Sequence, residues 1–483
     1  MVTRGLGMVS TLVLAHLLVP ADFGLVAMAT TFTAAIDGLS SLGVTEALVR
    51  RPDTLQRWYP TAFTFQALRG VLTGSVIALG AHFMGDWFHE PRLEPIMGVL
   101  ALMSVLAGLE NIGVVEFRRQ IQFGMEFRLL FVPRILQFAT TIGLAWYLES
   151  YWALIAGIVM SGTTRLVMTY RVHRYRPRVS LEHWRDLLGF SFWTWAAGLA
   201  SLVWERCDAF VLGPVMGSGP FGIYLLAAEV AVLPLSELVS PAMRALYSGV
   251  SVARGRGTEM ASLALSVSAA LLMIVLPLTI GFSATSGYIV AGLLGPKWEA
   301  ARPMIATFSW LCCMAPISYV CSTVLNAQGQ VRRNFLAIAG SAAVRVAIMS
   351  VVAASGRIDL APTIAVGCAG VESVLFLTQL RSHGDPHWAD HAGGFARLLV
   401  AAAVTVGILL ATHLGWEAVS MAWLPALLTG GALGLLSIAV FAAVLLAQWQ
   451  AFGRPPGPER RVIDLGWGVL AAWRAQRVVE RPA

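Results

Sequence analysis

Charge is scarce in this chain of 483 residues: Asp, Glu, Lys and Arg make up 13% of it, against roughly 25% in a soluble globular domain. With 57% hydrophobic residues and a mean hydropathy of +0.71, that excludes an ordinary water-soluble core. Lysine is almost missing, a single Lys297 standing against 33 arginines. Arginine keeps its charge in poorly hydrated surroundings and forks onto phosphate or carboxylate. Cysteine is sparse too. Cys207, Cys312, Cys313, Cys321 and Cys368 lie in apolar runs, are odd in number and have no metal-type spacing, so they read as small buried hydrophobes. There is no Gly-x-x-x-x-Gly-Lys-[Ser/Thr] phosphate loop, which excludes nucleotide hydrolysis by that route. No cofactor and no nucleic-acid partner are expected.

What is present is a succession of long apolar runs, such as 424–447. Runs of 18 or more residues with few charges read as membrane helices. The expected fold is an all-α polytopic membrane protein with 14 spans. They fall at about 5–19, 23–48, 59–83, 95–115, 128–148, 151–170, 187–212, 219–242, 261–282, 303–325, 335–353, 361–380, 395–413 and 423–447. No cleavable leader is expected, since only Arg4 precedes the first run and no small-residue cleavage site follows before Pro20. With the N-terminus inside, the inner loops collect most arginines, Arg118, Arg119, Arg174, Arg176 and Arg333 among them. The outer loops carry only Arg92, Lys297, Arg302 and Arg357. That asymmetry predicts both termini in the cytoplasm. The longest outer loop, about 283–302, is too short for an enzyme domain.

The charged linker 173–186 divides a six-span half, 1–172, from a second, 187–381. Two extra spans, 394–448, and a basic tail, 449–483, follow. The tail is expected either on the inner leaflet or without fixed structure. Because each half has an even number of spans, both have the same orientation, and their pseudo-two-fold axis stands along the membrane normal with a central cavity between them. Two echoes mark the repeat. The corner Pro20-Ala21-Asp22-Phe23-Gly24 returns as Ser218-Gly219-Pro220-Phe221-Gly222, and Glu116-Phe117-Arg118-Arg119-Gln120 is echoed by Gln330-Val331-Arg332-Arg333-Asn334. In the first corner Asp22 is expected to accept the free amides that open the next helix. Gly24 leaves room for another backbone to approach.

Several arginines lie within spans. Arg69 and Arg345 sit about ten residues into spans 3 and 11; Arg134, Arg165 and Arg206 lie nearer span ends. A midplane arginine costs roughly 2.5–3.5 kcal/mol on insertion scales, so the deep ones are expected to face water or an acid, while those near the ends can snorkel. Arg134 follows Arg119 by 15 residues and Arg345 follows Arg333 by 12. The difference is about one helical turn, which puts both on equivalent faces. Such guanidinium groups flanking a cavity suit a diphosphate, and Arg69, Arg345, Arg134, Arg165 and Arg206 are the expected substrate contacts. Structural ion pairing is the other reading. Asp37 in span 2, Asp208 beside Arg206 and Glu372 in span 12 are the expected coupling or ion-pair acids, with Glu110 and Glu205 as further partners. His383, His387 and His391 recur every fourth residue with Asp385 and Asp390 between them. Gly384 and Pro386 break the helix that would align them, so no metal is expected.

The chain resembles the Wzx-type polysaccharide flippases of the multidrug/oligosaccharidyl-lipid/polysaccharide exporter superfamily over about 5–450. The resemblance rests on Leu14 to Gly24, Leu42-Gly43-Val44-Thr45-Glu46-Ala47-Leu48-Val49, Asp208 with Leu212-Gly213, Phe221-Gly222-Ile223-Tyr224, Gly295-Pro296-Lys297-Trp298 and Asn326-Ala327-Gln328-Gly329. His16 stands where that family usually carries arginine. The resemblance implies a multi-pass protein of the bacterial inner membrane that moves undecaprenyl-diphosphate-linked oligosaccharide between leaflets by alternating access. Membrane lipids, and other polysaccharide assembly proteins, are the further partners it implies. Two alternatives stay open: a cation-coupled multidrug exporter of the same superfamily, and a membrane polysaccharide polymerase or glycosyltransferase.

Overall fold

The structure, a computed structural model, describes residues 2–40, 48, 57–120, 122–182, 192–233, 257–381, 388–417, 419 and 421–453. Among them there is helix and loop but no strand. A helix stands at each predicted span: α1 (Val2–Leu17), α2 (Pro20–Leu39), α3 (Tyr59–Trp87), α4 (Leu93–Gly108), α5 (Phe123–Leu148), α6 (Trp152–Val172) and α7 (Phe192–Met216). There follow α8 (Ser218–Leu233), α9 (Gly257–Ala284), α10 (Ala301–Ala327), α11 (Val331–Ser355), α12 (Ala361–Arg381), α13 (Trp388–Ala411) and α14 (Trp423–Ala451). Among the described residues nine helices are long and apolar enough to cross a membrane. A tenth crossing results if α4 and the segment Ile112–Arg119, bent by 65° from it, form one broken span. The chain is a multi-pass helical membrane protein. Helices α2 and α7 fall short of that measure because they carry polar groups: Asp22, Asp37 and three threonines in α2, and Glu205, Arg206 and Asp208 in α7.

The helices form two compact units, one of Met1–Leu226 with Ile338–Ala361, the other of Ala227–Ala337 with Pro362–Ala483. In the second unit α13 and α14 pack on α9 through Leu276, Ile280, Leu398, Ala401, Leu433 and Phe441. The five cysteines form no disulfide among the described residues and are buried, as expected of small hydrophobes. Of the His series, His391 lies within α13 and meets the Ser262 hydroxyl at 3.0 Å. His383, Asp385 and His387 are outside the described residues, as are 454–483 of the tail. No cluster of three or more metal-ligating side chains occurs among the described residues.

In the first unit the α1–α2 corner differs from expectation. Helix α2 begins at Pro20, whose missing N–H is no loss at a first helical position, and Asp22 is already its third residue. Its Oδ2 accepts the Val19 amide at 3.4 Å, before the helix rather than inside it. Gly24 is crossed by another backbone. A Cβ built on it would fall on the Ser218 carbonyl oxygen, and one built on Gly222 would fall on the Pro20 carbonyl oxygen. Each carbonyl belongs to the residue four positions before the other glycine, so the two echoed corners cross reciprocally. A contact of that kind is what a two-fold relation produces. Around it Trp87 Nε1 donates to the Phe210 carbonyl at 3.4 Å, Ser218 Oγ donates to Glu90 at 2.6 Å, and Phe88 lies over Gly213.

Replacing Gly24 by alanine is expected to destabilise the protein by about 1–3 kcal/mol, since the added methyl has only backbone to displace. Gly198→Ala in α7, where a Cβ meets nothing within 4 Å, is expected to be neutral or to stabilise by up to about 1 kcal/mol. Thermal unfolding of the two detergent-solubilised variants checks this, and equal midpoints would refute the close crossing.

Candidate functional site

The site is assembled from α7, α8 and α11 within the first unit. Trp204 and Asp208 are four residues apart on α7 and so share a face. Arg345 of α11 reaches that face. Its Nε donates to Asp208 Oδ1 at 3.1 Å and its Nη2 to Oδ2 at 2.7 Å, a bidentate fork. Its Cζ lies 4.5 Å from the centre of the Trp204 ring, within cation–π range. From α8, Tyr224 donates its hydroxyl to Asp208 Oδ2 at 2.6 Å. The Cys207 thiol approaches Oδ1 at 3.2 Å. Both side chains of the ion pair are only 11% exposed, and Tyr224 is fully buried against a parallel Phe221 ring. Asp208 thus has both oxygens engaged twice, which compensates the loss of water.

The other arginines take different surroundings. Arg69 of α3 sits at the C-terminal end of α2. Its Nη2 donates to the Asp37 carbonyl at 3.2 Å and lies 3.6 Å from the Asp37 carboxylate, and its Nε donates to Ser40 Oγ at 3.1 Å. A cation there meets the negative end of the helix as well as the acid. Arg165 Nε is 3.1 Å from Glu110 Oε1. Arg134 lies against Gly7 of α1 and donates to Gln137 at 3.2 Å. Arg206 Nε is buried with no hydrogen-bond partner among the described residues.

Each deep arginine therefore has a carboxylate, but not always the one its neighbourhood in sequence suggested. Asp208 was expected beside Arg206; it turns instead to Arg345, because residues two apart on a helix point to nearly opposite sides. Glu372, another expected ion-pair acid, is half-buried on α12, and the Arg345 fork is filled by Asp208. Asp37 does meet Arg69. The residues that sequence reading missed are Trp204 and Tyr224. Tyr224 stood in a quoted motif, and Trp204 is signalled only by its four-residue spacing from Asp208.

Buried charges held between helices of a polytopic bundle define a membrane transporter-like protein rather than a soluble or single-span one. The model of the family described as "Polysaccharide biosynthesis protein" matches residues 13–303, and the chain belongs to that family. Its fold is that of a solved lipid II flippase MurJ in an inward closed conformation, with TM-score 0.71 and 12% identity, covering 92% of this chain and 97% of that one. An inward-facing multidrug resistance MATE family transporter of the MOP superfamily aligns with TM-score 0.55 and 13% identity, covering 81% and 94%. Among curated relatives, the lipopolysaccharide biosynthesis protein WzxC of Escherichia coli (strain K12) is 23% identical over 68% of each chain. The teichuronic acid biosynthesis protein TuaB of Bacillus subtilis (strain 168) is 20% identical over 60% of this chain and 61% of its own. The succinoglycan biosynthesis transport protein ExoT of Rhizobium meliloti (strain 1021) is 26% identical over 63% and 62%. The chain thus spans about two thirds of the length of these relatives. The resemblance to Wzx-type flippases read from the residues is borne out.

Asp208→Asn removes one partner of a buried pair and leaves the other charged, and is expected to cost about 3–5 kcal/mol. Adding Arg345→Gln is expected to recover part of that loss. A double-mutant cycle by thermal unfolding measures the coupling, and additive losses would show that the two side chains do not act on each other.

Proposed function

We propose that this chain translocates a diphosphate-linked oligosaccharide on a polyprenyl lipid across the bacterial inner membrane by alternating access. The observation that carries the reading is the Arg345 guanidinium, sunk between α7, α8 and α11 and kept charged by Asp208. In this reading the pair is a placeholder. The guanidinium is oriented before substrate arrives, and a diphosphate, bearing more charge than one carboxylate, takes over the fork in low-dielectric surroundings. Tyr224 and the Cys207 thiol remain on Asp208 and stabilise it while its cation is shared. Arg69, Arg134 and Arg206 supply further positive potential along the path, and the lipid tail stays in the bilayer.

The crossing of Gly24 with Gly222, reinforced by Glu90 and Ser218, is the closed gate at the end that the arginine distribution assigns to the periplasm. The two six-span halves, meeting there about a pseudo-two-fold axis, rock to open it. Both termini are cytoplasmic. The family, and relatives whose names speak of lipopolysaccharide biosynthesis and succinoglycan transport, support a glycan cargo. A carrier for cationic drugs would need a carboxylate without a resident cation, and Asp208 has one. The short outer loops favour transport over polymer synthesis.

In cells lacking the gene, Arg345→Gln is expected to restore export at least about ten-fold less well than the wild-type chain, since a lost charge-assisted contact is worth roughly 1.5–3 kcal/mol. Complete lipid-linked repeat units should then accumulate on the cytoplasmic leaflet, as accessibility to a sided glycosidase reports. Unpolymerised units already in the periplasm would point to a polymerase, and unchanged glycans with new drug sensitivity to an exporter.

A further inference from the structure

The break between α4 and Ile112–Arg119 is built, not incidental. The carbonyls at the break are met by side chains: Gln66 Nε2 shares its two hydrogens among those of Ala107, Gly108 and Glu110 at 3.3, 3.3 and 3.0 Å, and Tyr170 donates to that of Leu109 at 2.8 Å. Asn111 Oδ1 accepts the Gly113 amide at 3.0 Å and starts the next turn. Helices usually avoid such a bend inside a membrane unless the backbone lines a polar space. Here it does. Against the bend lies a hollow of about 130 Å³.

The walls of the hollow are chemically mixed. Glu110 is held by Arg165 at 3.1 Å, and Glu126 by Arg118 at 3.0 Å. Both guanidinium groups are gripped at Nε, the edge, and all four side chains line the hollow together with the Gln66 amide. Their charges cancel. A wall with no net charge has little attraction for a phosphate or a metal ion, yet it offers carboxylate acceptors and guanidinium donors to vicinal hydroxyls. Val114 adds an apolar side suited to the C–H face of a ring.

We propose that this hollow binds one neutral sugar ring of the glycan cargo at the end of the bundle assigned to the cytoplasm, before the diphosphate reaches Arg345. The proposal rests on the transport reading above. It gives Arg165 a different task from Arg345: with Glu110, Arg118 and Glu126 it sorts sugars and does not neutralise phosphate.

The test uses the full chain in lipid nanodiscs with a panel of methyl glycosides of neutral hexoses, read by saturation-transfer NMR, alongside translocation of a lipid-linked oligosaccharide. Saturation should reach the ring protons of at least one glycoside and fall several-fold in Val114→Phe, which fills the hollow. It should also fall in Glu126→Gln, which keeps its volume but weakens an acceptor and the grip on Arg118. Thermal melts confirm that the variants are folded, and the second variant decides if the first is not. Translocation should slow in both variants, whereas Arg345→Gln should lose translocation and keep the saturation signal. No signal in the wild-type chain, a signal unchanged in both variants, or displacement of the glycoside by inorganic phosphate overturns the sugar site. Glycoside binding at this hollow without any translocation by the wild-type chain overturns the transport reading instead.

Discussion

A guanidinium inside a membrane bundle has to be given back what water no longer supplies, and the arrangement around Arg345 answers that requirement. One carboxylate would leave lone pairs unsatisfied; Asp208 is therefore shared with the Tyr224 hydroxyl and the Cys207 thiol, while the Trp204 ring covers the cation. Three helices must be in register for these contacts to coexist. The pair thus ties α7, α8 and α11 together, and its conformational specificity is the return on a buried pair that adds little stability of its own. The same feature makes it suitable as a carrier site, because a pre-oriented cation need not reorganise when an anion arrives.

The second constraint is the glycine crossing. With no side chains at Gly24 and Gly222, two helix starts meet backbone to backbone, and every flanking contact, Trp87 with Phe210, Ser218 with Glu90 and Phe88 with Gly213, depends on that distance. Small residues of this kind let helices approach where lipid provides no hydrophobic drive. Such a seam is tight yet makes few side-chain commitments, which suits a contact that is to open and close. Arg134 lies against Gly7 of α1, and Arg345 against Asp208 of α7.

The helices were legible from composition because hydrocarbon thickness leaves few choices of length. The corner echo was legible because Phe-Gly recurs at equivalent places, and its outcome, a close backbone approach, follows from glycine alone. Which acid meets which arginine was not legible. Arg206 and Asp208 are neighbours in sequence but face apart, and Arg345 finds a partner 137 positions away. Nor was the broken span read: Gln66 and Tyr170 satisfy the carbonyls at the bend from other helices, while the local signals, Gly108, Asn111 and Gly113, lie within a largely apolar run. The start of α2 at Pro20 rather than after Asp22 is a smaller miss of the same sort, since an aspartate can accept a helix-opening amide from the third position as well as from the cap.

The account turns on whether Arg345 serves the cargo or only the fold. The most direct measurement is the translocation rate of the purified double variant Asp208→Leu/Arg345→Met in proteoliposomes, because a neutral pair of similar volume can keep the helices packed without the charge. A folded, thermally stable protein that no longer moves the lipid-linked oligosaccharide is the predicted result. Transport at the wild-type rate by that variant would contradict it.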